Sequence, residues 1–172
     1  MAFTVEDGTN VSGANAYVTV AAADAYNVAH ELDADWSKAA DAAKQKAIRL
    51  ATQYLDLRFK HRWRGARYNE DQALAWPRTM FYDYDGYAIE AETIPTALKN
   101  ACTELAIRVV KGDDLFPVNE NPGLRSHAIH NATTGETKVY EGGSVGNEVK
   151  EYPVVDAMLS DLVHSGPTVE RA

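Results

Sequence analysis

Apolar positions set the first expectations. Between residues 38 and 59, Ala40, Ala43, Ala47, Leu50, Ala51, Tyr54 and Leu55 recur at steps of three and four. That spacing is one face of a 3.6-residue helix, and its alanines imply close approach to a neighbouring helix. Asp41, Lys44, Arg49 and Gln53 fall outside the stripe. A second clear stripe, Leu98, Ala101, Cys102, Leu105, Ala106 and Val109, predicts a helix opened by Pro95 and closed by Gly112. Ile107 lies off that stripe among polar residues and is a candidate subunit contact.

Weaker patterns fill the remainder. Thr19 reads as an N-cap for an alanine-rich helix over residues 20–30, with Tyr26 as its large apolar contact. Residues 31–36 read as a polar connection ending in the anchor Trp36. Helical periodicity is lost over 67–92, where Pro77 interrupts and Asp83-Tyr84-Asp85-Gly86 is turn chemistry. Residues 113–121 read as a linker. Segments 125–131 and 136–140 then flank Ala132-Thr133-Thr134-Gly135, the pattern of a β-hairpin. Pro153 opens a final short helix with Val155, Met158, Leu159, Leu162 and Val163 on one side. The expected fold class is mainly α: a small helical bundle with a β-hairpin element and a C-terminal helix or arm. Residues 1–112 form the helical body, and 113–172 the hairpin element and arm of the same domain.

Charge changes this picture. The chain of 172 residues has a formal net charge of -8. Residues 41–80 nevertheless hold nine Lys and Arg against four Asp and Glu. The core of that anomaly is the stretch 58–78, with Arg58, Lys60, Arg62, Trp63, Arg64, Arg67, Trp76, Pro77 and Arg78. Three uses fit those residue types. They could be a solvated helix end paired with acidic neighbours. They could be a nucleic-acid surface, with Phe59, Trp63 and Tyr68 as stacking platforms. They could be an assembly interface, since Arg and Trp are enriched at binding hot spots. Assembly is favoured, because an acidic chain lacks the overall positive charge that phosphate binding rewards. Trp76 is expected to pack on the helical body, with Pro77 limiting the loop that follows.

Catalytic and metal chemistry find little support in the pattern. The five histidines form no zinc motif, and His127 and His130, three apart on a strand, face opposite sides. Cys102 falls in a buried stripe and reads as a small core residue. Asp83, Asp85, Gly86 and Glu92 match part of a calcium loop, but Phe81 stands at its first ligand position. Neither an enzyme nor a cofactor or metal site is expected. No apolar run is long enough for a membrane span, and no signal peptide is evident. The lone cysteine fits folding in a cytoplasm.

The segment Ser12-Gly13-Ala14-Asn15-Ala16-Tyr17-Val18, the helix ending Ala51-Thr52-Gln53-Tyr54-Leu55-Asp56, Arg62-Trp63-Arg64-Gly65, the run Gln72-Ala73-Leu74-Ala75-Trp76-Pro77-Arg78, Asp85-Gly86, and Ile94-Pro95 with its helix together form a distinctive set. Over residues 10–112 this set resembles the head–tail adaptor (connector, head-completion) proteins of tailed bacteriophages, whose members often carry the label DnaT-like single-stranded-DNA-binding protein. The resemblance implies a virion neck protein assembled in the bacterial host cytoplasm. It implies a homo-oligomeric ring, expected to hold twelve copies, beneath the portal protein. The ring would pass viral double-stranded DNA through its lumen without sequence specificity, and would dock the next head-closure or tail protein. Single-stranded-DNA-binding accessory protein is the alternative. On the adaptor reading, Arg58, Lys60, Arg62, Trp63, Arg64, Arg67, Arg78 and Ile107 are interface candidates. Val155, Met158, Leu159, Leu162 and Val163 belong to an arm expected to order on a neighbouring subunit or the portal. A self-docked terminal helix is the alternative there.

Overall fold

The N-terminal turn is built around one buried carboxylate. Glu6 accepts hydrogen bonds from the backbone N–H groups of Gly8, Asn10 and Val11, each at 3.0 Å. Gly8 has a φ of +113°, and a side chain there would collide with the carbonyl of Glu92. This turn therefore fixes the chain just ahead of the helix that begins at residue 96.

The computed structural model describes residues 2–80, 82–83, 85–116, 124–130, 135–140 and 150–164. The helices among them are α1 (Val20–Ala29), α2 (Ala34–Lys38), α3 (Asp41–Arg58), α4 (Thr96–Val110) and α5 (Pro153–Met158). Two short antiparallel pairs accompany them: β1 (Ala66–Arg67) with β2 (Arg78–Thr79), and β3 (Leu124–His130) with β4 (Gly135–Tyr140). The fold is thus mainly α with a small hairpin.

The chain divides into two compact units, residues 1–115 with 151–172, and residues 116–150. In the second unit β3 and β4 pair in the register His127 with Lys138 and His130 with Gly135, with an irregularity between Leu124 and Ser126. Of the expected hairpin loop, Ala132, Thr133 and Thr134 lie outside the described residues, while Gly135 is the first residue of β4. The segment 145–149 and the Gly166-Pro167 stop also lie outside them.

In the first unit α4 is the central helix, packed against α1, α2, α3 and α5. Leu98, Ala101, Cys102, Leu105 and Ala106 are buried, as the stripe predicts. So is Ile107, only 3% exposed. A helix surrounded on several sides has no polar face to spare, so Ile107 is core and not a surface contact. Ile48, Leu55, Leu98, Leu105 and Leu159 are fully buried, each contributing about 1.5–3 kcal/mol.

The helix caps explain the element boundaries. Thr19 accepts from the N–H of Ala22 and starts α1. Asp33 accepts from the N–H groups of Asp35 and Trp36 and starts α2, a turn of helix where a polar connection is expected. Lys111 pairs with the same Asp33 carboxylate at 2.7 Å and, with the two N–H bonds, holds it below the usual carboxylate range. Trp36 is buried and donates its ring N–H to Asp24 at 2.8 Å. Lys44 meets the same Asp24 oxygen at 2.9 Å and lies 5.5 Å from the Trp36 ring. That pairing draws Lys44 inward, so the buried face of α3 carries Lys44, Ile48 and Thr52 beside Ala47, Ala51, Tyr54 and Leu55, while Ala43 stays exposed.

Candidate interaction surface

The basic stretch after α3 is held in place by aromatic packing. Phe59, Trp63 and Trp76 are all buried, at 0%, 5% and 0% exposure. The Trp63 ring lies 5.3 Å from that of Phe59 and 5.8 Å, edge-on, from that of Trp76. Trp76 therefore packs on the body as expected, preceding a cis bond to Pro77. Phe59 and Trp63, candidate stacking platforms and hot-spot residues by composition, are core residues of the folded subunit. Only Tyr68 of that trio is exposed, and its hydroxyl donates to Glu92 at 2.7 Å.

The arginines point mainly at their own chain. Arg58 closes on Asp156 at 2.8 Å and on Glu151 at 3.2 Å. Burial opposes its charge, but the Asp156 carboxylate outweighs that and leaves its pKa raised. Arg62 donates to the carbonyl of His164 at 3.3 Å, and Arg64 to that of Asp161 at 2.8 Å. Arg67 donates to the carbonyl of Gln72. Arg78 donates to the carbonyls of Arg64 at 2.7 Å, Gly65 at 2.6 Å and Ala75 at 3.3 Å. Burial, then the nearby Arg67 charge, lowers the Arg78 pKa. The positive cluster is thus largely a set of stitches from guanidinium groups to backbone carbonyls, and only Arg58 makes the pairing with acidic neighbours expected of a solvated helix end. Lys60 is exposed on the rim of a cleft of about 340 Å³ that Arg67 and Arg78 also line.

Those stitches also fasten the C-terminal helix. Val155, Leu159, Leu162 and Val163 are buried in the subunit, and Met158 is half-buried. α5 packs on α4, Val163 bridges to Trp63, and Tyr152 donates to Asp113 at 3.0 Å. Through residue 164 the expected arm is self-docked. Its apolar stripe is covered by the body it was expected to leave, because Arg58, Arg62 and Arg64 tie it down. Residues 165–172 lie outside the described residues.

Sequence reasoning missed Asp56. It sits on α3 at the junction of three segments, accepting from the Tyr17 hydroxyl and from the N–H of Ala75 at 3.0 Å. The N–H of Trp76 donates to the same Tyr17 oxygen at 3.3 Å. Burial pushes the Asp56 carboxyl up to about 6, against the opposing pull of these donors. Burial likewise pushes the Cys102 thiol up to about 12, in keeping with a core cysteine. A polar residue in a helix beside a tyrosine carries no sequence signal of such a junction.

The exposed apolar surface lies elsewhere. After β2, Met80, Tyr82 and Tyr87 are 82%, 60% and 72% exposed. Asp83 closes this turn, accepting from the N–H of Tyr87 at 2.8 Å while its own N–H donates to the Tyr87 carbonyl at 2.9 Å. Its carboxylate is engaged in a turn, as expected of Asp83-Tyr84-Asp85-Gly86. Among the described residues no cluster of His, Cys, Asp and Glu is suited to a metal ion, and no helix is long and apolar enough to cross a membrane.

Fold and surface together define a mainly α-helical body in which Arg58, Arg62, Arg64, Arg67 and Arg78 bind its own chain and exposed Tyr82 and Tyr87 sit on an acidic turn. The chain belongs to the family described as "Putative DnaT-like ssDNA binding protein", whose model matches residues 1–172. No curated protein and no solved structure matches the chain.

Proposed function

We propose that this chain is a structural, non-catalytic subunit of a tailed-bacteriophage neck, a head–tail adaptor. Copies would assemble in the host cytoplasm into a ring under the portal protein. The genome would pass through the ring, which would receive the next head-closure or tail protein. The observation that carries this reading is the pairing of exposed Met80, Tyr82 and Tyr87 with an acidic turn. Exposed rings and methionine suit protein contacts, whereas the carboxylates around them repel phosphate. A net charge of -8 suits a subunit that DNA must slide past without adhering. The resemblance of residues 10–112 to adaptor proteins supports the neck assignment.

The second reading, a single-stranded-DNA-binding accessory protein, is the one favoured by the family match, whose description names that activity. Against it stand the burial of Phe59 and Trp63 and the engagement of Arg58, Arg62, Arg64 and Arg78 within the chain.

The two separate in a paired experiment. Purified portal-bearing heads are mixed with the protein and sedimented, and labelled oligonucleotides are titrated across a salt series. Co-sedimentation with heads and oligonucleotide affinity no tighter than the ~10⁻⁴–10⁻⁶ M of non-specific binding support the adaptor. Tighter, steeply salt-dependent oligonucleotide binding without head binding supports the family's description and removes the adaptor proposal.

A further inference from the structure

The outer side of α3 carries a surface opposite in character to the acidic turn. Two clefts of about 440 and 340 Å³ share Asp56, Leu57 and Leu74 and so form one groove. Lys46, Arg49, Lys60, Arg67 and Arg78 line it, against the single carboxylate of Asp56. Leu57 stands in the middle, 52% exposed. The groove is therefore cationic at its rim and apolar at its centre. No Phe, Tyr or Trp lines it, and the exposed imidazole of His61 is its one aromatic ring among the described residues, so it offers a nucleic-acid base little to stack on.

The connection over residues 80–92 is its complement. Its sequence holds Asp83, Asp85, Glu90 and Glu92 and no Lys, Arg or His. Its exposed side chains include Met80, Tyr82 and Tyr87. The bonds between Asp83 and Tyr87, and the bridge from Tyr82 to Ala88, shape it in advance. A preformed turn loses less entropy on docking than a loose one.

We propose that the 80–92 turn of one copy docks in the α3 groove of a second copy, Tyr82 and Tyr87 over Leu57 and its carboxylates facing Lys46, Arg49 and Lys60. This names the subunit contact within the assembly reading above and rests on it. Groove and turn are different surfaces, so the contact is head-to-tail and can repeat around a ring. Complementary charge sets the register and speeds encounter, and exposed rings against an aliphatic centre supply the apolar burial.

Sedimentation velocity over a concentration series tests the pairing with three proteins: wild type, Lys46→Glu/Lys60→Glu, and Asp85→Lys/Glu90→Lys. All four positions are exposed, and circular dichroism confirms folding of each variant. Each variant alone is expected to need roughly tenfold or more protein to reach half assembly. An equimolar mixture restores assembly, because each reversed groove then meets a reversed turn. A wild type that assembles while neither variant weakens overturns this contact and leaves the assembly reading intact. A wild type that remains monomeric throughout the series overturns both.

Discussion

The Tyr17 hydroxyl donates to the Asp56 carboxylate and accepts from the N–H of Trp76, so one phenol joins the N-terminal segment, the longest helix and the Trp-Pro loop. Asp56 is held at a pKa of about 6 by burial. Below the ordinary carboxylate value of 3.8, folded and unfolded chains both carry this proton. As pH rises towards 6 the unfolded chain releases it first, so the folded state loses stability, by about 3 kcal/mol in full, and the effect levels off above 6. Asp56→Asn should abolish that component. Urea unfolding of both proteins from pH 3.5 to 7.5 measures it, and parallel stability curves would refute the assignment.

Trp76 is fully buried against Trp63. Replacing it with alanine leaves a large cavity and should cost about 3–5 kcal/mol, read as a lower midpoint in denaturant with an unchanged slope. A midpoint within error of wild type contradicts its place in the core.

Deleting residues 153–172 removes buried Val155, Leu159, Leu162 and Val163 and strips Arg58 of Asp156. The expected result is loss of cooperative unfolding by calorimetry. The single change Leu159→Ala, expected to cost about 2–5 kcal/mol, gives a milder version. A truncated body that melts like the full chain would restore the arm.

Asp24 serves two buried partners, the Trp36 ring N–H and the Lys44 ammonium. Asp24→Ala leaves both without this acceptor and should destabilise by about 1–3 kcal/mol, moderated by the partial exposure of Asp24. Combining it with Lys44→Met should recover part of the loss. Additive losses in the double variant would show that the two side chains are not coupled.

Local signals carried much of the fold. The Thr19 cap, the α4 stripe, the hairpin and the opening of α5 at Pro153 are all written in short-range pattern. α2 was harder to read because five residues hold too little periodicity, although Asp33 two places before Asp35 is a capping signal. Lys44 and Ile107 escaped because their burial depends on partners distant in the chain. The arginine stretch was visible as a cluster, but its direction was not. Guanidinium groups that bind carbonyls across a loop have the same composition as ones that face a partner. The acidic turn is legible in the sequence as turn chemistry and as a partial match to a calcium loop, but not as an exposed apolar surface, since exposure of Tyr82 and Tyr87 is a property of the folded surface.

The fit of Gly8 under the Glu92 carbonyl has a practical consequence. Together with the Tyr68–Glu92 bond it pins one foot of the 80–92 turn, and the β1–β2 pair pins the other. Between two fixed feet, the span can be treated as a cassette: its length and side chains can be exchanged while the helices below keep their places. Grafting a foreign turn between residues 80 and 91 should therefore retarget the subunit without refolding it, whereas any side chain at position 8 would pry the mounting loose.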